Sequence, residues 1–329
     1  MDFPKAAAAA LLLLWPGAFC LAADEGCTRQ TVAVSVLKGD HQPATGLTPQ
    51  EFRAEIKGKP IQVLSATLDQ HLHRVVVVLD ASGSMVEDDD GWRQARTLAL
   101  EAIEESPQDF QAGLIVFDDI VRIRIPVQKD SKTALQALEG LPERPRKLAP
   151  WKHGHTAIWD ALTAATELLD PPEFGDAIYL ITDGLDNESR ASLGKVKDSL
   201  ARRRVRLFTE WFAYESLSEP LLMELLGVTD FLNMALATGG LVAQIPPERH
   251  DLMPVSKYSQ LGQKQLMVIK AEARMIYAAI QFPYRLELAL PKAYSHPQAW
   301  RLSISQAKNQ RPEWVVAYPA QLEGCRAIP

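Results

Sequence analysis

The chain has little that would mark a nucleic-acid binder, a membrane protein or a familiar type of catalyst. Its 35 Lys and Arg are outnumbered by 41 Asp and Glu, for a formal net charge of −6. That balance leaves no basic surface to follow a phosphate backbone, so no nucleic-acid partner is expected. The one basic run, Arg202-Arg203-Arg204 with Arg206, reads as a helix end, where cations offset the dipole. There is no G-x-S-x-G elbow, no Walker A loop and no H-E-x-x-H pair, which removes familiar signatures of hydrolases, NTPases and zinc peptidases. No repeat appears, and low complexity is confined to the N-terminus. Cysteine is scarce, at three in 329 residues.

Long hydrophobic runs are also missing, with one short exception. Lys5 precedes Ala6 to Trp15, all Ala, Leu or Trp, and then Pro16-Gly17 and a small-residue run ending Leu21-Ala22-Ala23. The apolar core is too short to span a bilayer and reads as a secretory signal peptide over 1–23. An exported protein, secreted or periplasmic and without a transmembrane segment after signal cleavage, is the expectation. Removal of Cys20 leaves Cys27 and Cys325 near the two ends of the mature chain. In an oxidising compartment the two are expected to form a disulfide, which requires the N- and C-terminal segments to be neighbours.

What the chain does have is 47% hydrophobic and 23% charged residues, an ordinary globular composition, and length for roughly two domains. Val75-Val76-Val77-Val78-Leu79 lacks alternation, the pattern of a strand buried on both faces of a parallel sheet. The chain then turns polar: Asp80, Ser82 and Ser84, at alternate positions. In open α/β sheets ligands sit outside the carboxyl ends of the strands. One carboxylate and two hydroxyls are hard oxygen donors of low total charge, which suits Mg²⁺ or Mn²⁺. Gly83 is expected to give the turn its tightness.

Asp80-x-Ser82-x-Ser84 after a hydrophobic strand resembles the first segment of the metal-ion-dependent adhesion site (MIDAS) of von Willebrand factor A (VWA) domains. Two further segments follow in that family's order. Gly154-His155-Thr156-Ala157-Ile158 opens a helical run, and Ile178-Tyr179-Leu180-Ile181-Thr182-Asp183-Gly184 is a second buried strand ending in an acid. The resemblance implies Ser82, Ser84 and Thr156 as hydroxyl ligands, with Asp80 and Asp183 holding the metal directly or through water. It also implies an open coordination position that accepts a carboxylate from a protein partner. Here His153-Gly154-His155 stands where the family usually has small residues. H-x-H could suggest zinc, but no third soft ligand is in sight, and loop residues at the rim are the alternative. Glu87-Asp88-Asp89-Asp90 could hold a second cation such as Ca²⁺, or be solvated acids at a helix start.

The implied fold is α/β, a doubly wound, mostly parallel sheet with small β-rich flanking segments that could share one β-sandwich. The expected division is an N-terminal β segment over 24–73, a von Willebrand factor A domain over 74–275 and a C-terminal β segment over 276–329. Strands are expected at 28–36, around Arg53 to Lys57 and Ile61 to Leu64, at 110–117, 120–127, 177–182, 205–212 and 241–245. Helices are expected at 92–104 with Asp90 as N-cap, 132–138, 156–169, 192–203, 219–227, 231–237 and 257–275. The segments Tyr277 to Phe282, Tyr284 to Leu290, Trp300 to Ser305 and Trp314 to Tyr318 read as four more strands. This order of elements resembles exported bacterial proteins related to von Willebrand factor A.

Three functions compete on these residues. The first is a non-enzymatic, metal-dependent binding or adhesion protein. The second is a scaffold whose metal only stabilises the fold. The third is a hydrolase using Asp80, Ser82 and a histidine. The missing catalytic motifs count against the third, and its hydroxyls are better explained as metal ligands.

Overall fold

The computed structural model describes residues 25–87, 89–104, 110–142, 155–184, 186–212, 228–245, 258–305 and 314–325. The expected signal peptide, the helix at 219–227, His153 and the side chains of Glu87 to Asp90 lie outside them. The chain starts with a single turn, α1 (Glu25–Thr28), followed by β1 (Arg29–Leu37), β2 (Phe52–Ile56) and β3 (Lys59–Leu68). The alternating-layer part follows: β4 (Val75–Asp80), α2 (Gly83–Glu87), α3 (Asp89–Glu104), β5 (Ala112–Phe117), β6 (Val121–Gln128) and α4 (Lys132–Glu139). It continues through α5 (Ile158–Leu168), β7 (Ala177–Thr182), α6 (Leu193–Arg203), β8 (Arg206–Phe212), α7 (Val228–Ala237), β9 (Val242–Ile245) and α8 (Tyr258–Gln281). The chain returns as β10 (Tyr284–Ala289), β11 (Gln298–Ala299), β12 (Arg301–Ile304), β13 (Val315–Ala317) and β14 (Gln321–Leu322). No helix among the described residues is long and apolar enough to cross a membrane.

The central sheet runs β6-β5-β4-β7-β8-β9, parallel throughout except for the antiparallel edge strand β6. β4 sits inside it and every one of its residues is buried. Val75, Val77 and Leu79 face a layer containing Trp92 and Leu98 of α3 and Ile276 of α8. Val76 and Val78 face Ile158 and Leu162 of α5. A strand covered on both sides has no reason to alternate, which accounts for the unbroken aliphatic run.

The strands from the two ends of the chain interleave in one antiparallel sheet, in the order β12-β2-β3-β10-β1-β13. β1 pairs with β10 over Arg29 to Val34 and with β13 over Ser35 to Leu37. A ribbon of β11 and β14 completes this unit, and Trp300 and Leu322 share a core with Val34 and Leu286. The β unit is thus one six-stranded sheet with a ribbon rather than two facing sheets. Cys27 and Cys325 form a disulfide between the first and last described segments, with Cα atoms 5.4 Å apart, inside the usual span.

Several expectations are corrected. Asp90 is not an N-cap, because α3 begins at Asp89. The segment from Tyr277 is not a strand: α8 continues to Gln281. Ile269, Ala273, Ile276 and Ile280 recur every three or four residues and are all buried, a helical period that the aromatic ends Tyr277 and Phe282 disguise as a strand pattern. Met267 is 72% exposed and takes no part in that buried face. Arg206 does not end a helix with its neighbours; it is the first residue of β8 and is fully buried.

The β unit packs against the amino ends of the central strands. Arg74, just before β4, makes a bidentate pair with Asp176, just before β7, at 2.8 and 2.6 Å. Arg206 donates to Ser35 Oγ of β1, to the carbonyls of Ala279 and Ile280 in the last turn of α8, and to the Gly175 carbonyl. The carboxyl ends of the same strands therefore point away from the β unit.

Candidate metal site

β4 and β7 are adjacent and parallel, and in register at Leu79 and Ile181. The residues that follow each strand are thereby brought side by side at the carboxyl edge of the sheet. Asp80 is fully buried. Its Oδ1 accepts the Ser82 backbone N–H at 2.8 Å, and its Oδ2 accepts the Thr182 hydroxyl at 2.5 Å. The same hydroxyl accepts the Gly184 N–H at 3.0 Å. Thr182 therefore links the two acidic loops, a role that its place in an apolar strand does not announce.

Ser82 and Ser84 have their Oγ atoms 3.3 Å apart. Ser82 is buried and Ser84 is exposed at the start of α2. Gly83 opens that helix without a positive φ, so the expected tight glycine turn is instead a helix start. The conformational demand falls on Gly184, with φ of 79°. A Cβ there would meet the Phe231 ring at 2.4 Å. Asp183 is 3% exposed, and its carbonyl accepts the Trp211 indole N–H at 3.1 Å.

Thr156 is buried in the loop before α5, which starts two residues later than the sequence pattern predicts. Its N–H donates to Asn187 Oδ1 at 2.8 Å, and its carbonyl accepts the N–H groups of Asn187 and Glu188. The next N–H, of Ala157, donates to the Asp118 carbonyl at 2.8 Å, and Asp118 directly follows β5. Asn187 thus fastens the Thr156 loop to the loop that carries Asp183. Only this backbone pairing reveals it, because a lone Asn has no sequence signature. His155 pairs with Glu188 at 3.1 Å, both half exposed, which gives it a rim role.

All five residues predicted from sequence lie at this one edge: Asp80 at the end of β4, Ser84 in the first turn of α2, and Ser82, Thr156 and Asp183 on the loops. The electrostatics fit a divalent cation. Burial, and then the neighbouring Asp183 carboxylate, push Asp80 up to about 7, while the bonds from Thr182 and Ser82 oppose the shift. Two like-charged carboxylates out of water are costly unless a cation lies between them. Hydroxyls and carboxylates without thiolate or imidazole are the donors that Mg²⁺ and Mn²⁺ favour.

A pH test follows from Asp80. The unfolded carboxyl ionises near pH 4, whereas the folded one does so near 7 in the absence of metal. Across that interval the folded chain keeps a proton that the unfolded chain has lost, so this group's contribution falls as pH rises. Asp80→Asn removes the dependence. In EDTA, the unfolding free energy of the variant relative to wild type is expected to increase between about pH 5 and about pH 8. A constant difference across that range would refute the assignment.

The profile of the von Willebrand factor type A domain family matches residues 75–185, about a third of the chain. The chain is also similar to bovine (Bos taurus) calcium-activated chloride channel regulator 1, with 28% identity over 145 residues. That match covers 43% of this chain and 15% of the bovine protein's length. Among solved structures it is similar to an aerotolerance-related membrane protein from Bacteroides fragilis, with TM-score 0.41 and 20% identity, over 60% of this chain and 99% of that one. It is also similar to a von Willebrand factor type A protein from Catenulispora acidiphila, with TM-score 0.46 and 12% identity, over 90% and 73% of the two chains.

Proposed function

We propose that the chain, whose residues 75–185 match the von Willebrand factor type A domain family, is an exported, non-enzymatic binding protein that captures an acidic side chain of a protein partner through a bound divalent metal. The observation that carries this reading is the buried Asp80–Asp183 carboxylate pair beside the two serine hydroxyls. Ser82, Ser84 and Thr156 would supply hydroxyl oxygens, and Asp80 and Asp183 would hold the metal directly or through water. When bound, Mg²⁺ or Mn²⁺ supplies a tethered positive charge with a coordination position for an incoming carboxylate. Thr182 and Asn187 hold the two loops in place, and Ser84 is the exposed member through which a partner reaches the site. That exposure favours capture of a partner over a purely structural ion. The short apolar N-terminal run and the Cys27–Cys325 disulfide support export.

Calorimetric titration of the EDTA-stripped protein with Mg²⁺ and with Mn²⁺ tests the site. Saturable binding to wild type is expected, with loss in Ser84→Ala at unchanged circular dichroism. If neither metal binds, the proposal fails. If metal binds and raises the melting temperature but metal-loaded protein takes up no carboxylate peptide, the ion is structural.

A further inference from the structure

At the pole opposite Asp80 and Asp183, a cleft of about 980 Å³ separates the start of β1 from the end of α6 and the C-terminal tail. Its described walls carry six cations, Arg29, Lys197, Arg202, Arg203, Arg204 and Arg206, against three acids, Glu173, Asp198 and Glu323. In a chain where acids outnumber bases, that is a local inversion of sign. Compensation of the α6 dipole explains cations in its last turn but not Arg29, which comes from β1 on the facing wall.

The pairing of these cations is uneven. Arg206 is consumed by carbonyls, Arg203 pairs with Asp170 at 2.6 Å and Lys197 lies 3.8 Å from Asp230. The side chains of Arg29 and Arg202 are exposed and have no hydrogen-bond or ion-pair partner among the described residues. Arg204 grips Glu323 in a bidentate fork, Nε to Oε1 at 3.2 Å and Nη2 to Oε2 at 3.0 Å, with both side chains open to solvent. Glu323 is presented there by its own backbone, which exchanges two hydrogen bonds with the Gln30 amide, and by the disulfide two residues further on. Arg204 also has φ of 55° at the end of α6, where glycine or asparagine carries less strain. An arginine kept at a strained position, holding a resident carboxylate, marks the chemistry of the ligand.

The volume exceeds that of a single oxyanion, and Pro172, Leu200, Met234 and Leu322 add apolar lining. A chain with spaced carboxylates and apolar surface between them meets both requirements. We propose that this cleft docks an acidic peptide segment of a protein partner, with carboxylates on Arg29 and Arg202 and one displacing Glu323 from Arg204. The site is independent of the metal.

Fluorescence anisotropy of a fluorescein-labelled hexaglutamate peptide, with the full oxidised chain in EDTA at low ionic strength, tests the assignment. Saturable binding is expected, weakening as salt is added. Glu323→Gln should tighten it several-fold by removing the resident competitor, and the double variant Arg29→Glu with Arg202→Glu should weaken it by about tenfold or more. Melting temperatures of both variants identify any that fail to fold. No saturable binding, no tightening in Glu323→Gln, or indifference to the charge reversal would each overturn the proposal. Binding of a labelled DNA oligonucleotide as tight as that of hexaglutamate would do the same, because the cleft would then be a general polyanion surface.

Discussion

Replacing Arg206 by Met is expected to lower the unfolding free energy by about 3–5 kcal/mol and to split one unfolding transition into two. The guanidinium donates through Nη1 to Ser35 Oγ and the Ala279 carbonyl, and through Nη2 to the Gly175 and Ile280 carbonyls, at 2.8 to 3.1 Å. These acceptors come from β1, from the last turn of α8 and from the entry to β7, so one side chain ties the β unit to the central sheet. Burial draws the guanidinium down to about 10, with Asp176 and Asp69 opposing the shift, so it remains charged at neutral pH. A methionine fills similar space but takes the guanidinium donor from the buried Gly175 and Ile280 carbonyls, at about 1–3 kcal/mol each, while the Ala279 carbonyl keeps the Ser35 hydroxyl. Lysine should rescue only part of the loss, since one ammonium cannot reproduce the spread of a planar fork. Urea unfolding followed by tryptophan fluorescence and by far-ultraviolet circular dichroism measures both effects. A loss below about 1 kcal/mol, or coincident transitions in the two signals, would show that the contact does not couple the units.

The residues legible in the sequence are those whose information is local. Val75 to Leu79 declare a doubly covered strand because both faces demand the same aliphatic chemistry, and Asp80, Ser82 and Ser84 fall within five positions. The residues that hold these groups in place were not legible. Thr182 reaches Asp80 across 102 residues and Asn187 reaches Thr156 across 31, and neither spacing follows a period of helix or strand. Glycine misleads in the same way: Gly83 stands within the motif, yet the position that admits no Cβ is Gly184, because of Phe231, which belongs to another element. The arginine run illustrates a further limit. Read along the chain it is one helix end, but in space it divides among a buried tie at Arg206, a fork on Glu323 at Arg204 and the free, exposed Arg202. Arg29 joins them only through the fold. The end of α8 was hidden because short apolar stretches satisfy strand and helix patterns equally well.

The second large effect concerns the bridge. Serine at both Cys27 and Cys325, or reduction of the native protein, is expected to cost about 4–5 kcal/mol of stability, the upper end of what disulfides deliver. The bridge joins positions 298 residues apart, so in the unfolded chain it closes almost the whole polymer into a loop, and the closure entropy grows with the logarithm of that length. The folded state loses less, because β1 remains paired with β10 and β13, and the Gln30 amide still holds the Glu323 backbone. The serine variant should therefore keep the native circular dichroism spectrum at room temperature while unfolding at a clearly lower temperature. Comparison of oxidised and reduced wild type by calorimetry, with free thiols counted in each sample, separates the cross-link from any effect of the hydroxyls. Equal melting temperatures with both thiols free would mean that the strand pairing alone defines the closure of the chain, and the bridge would contribute nothing to stability.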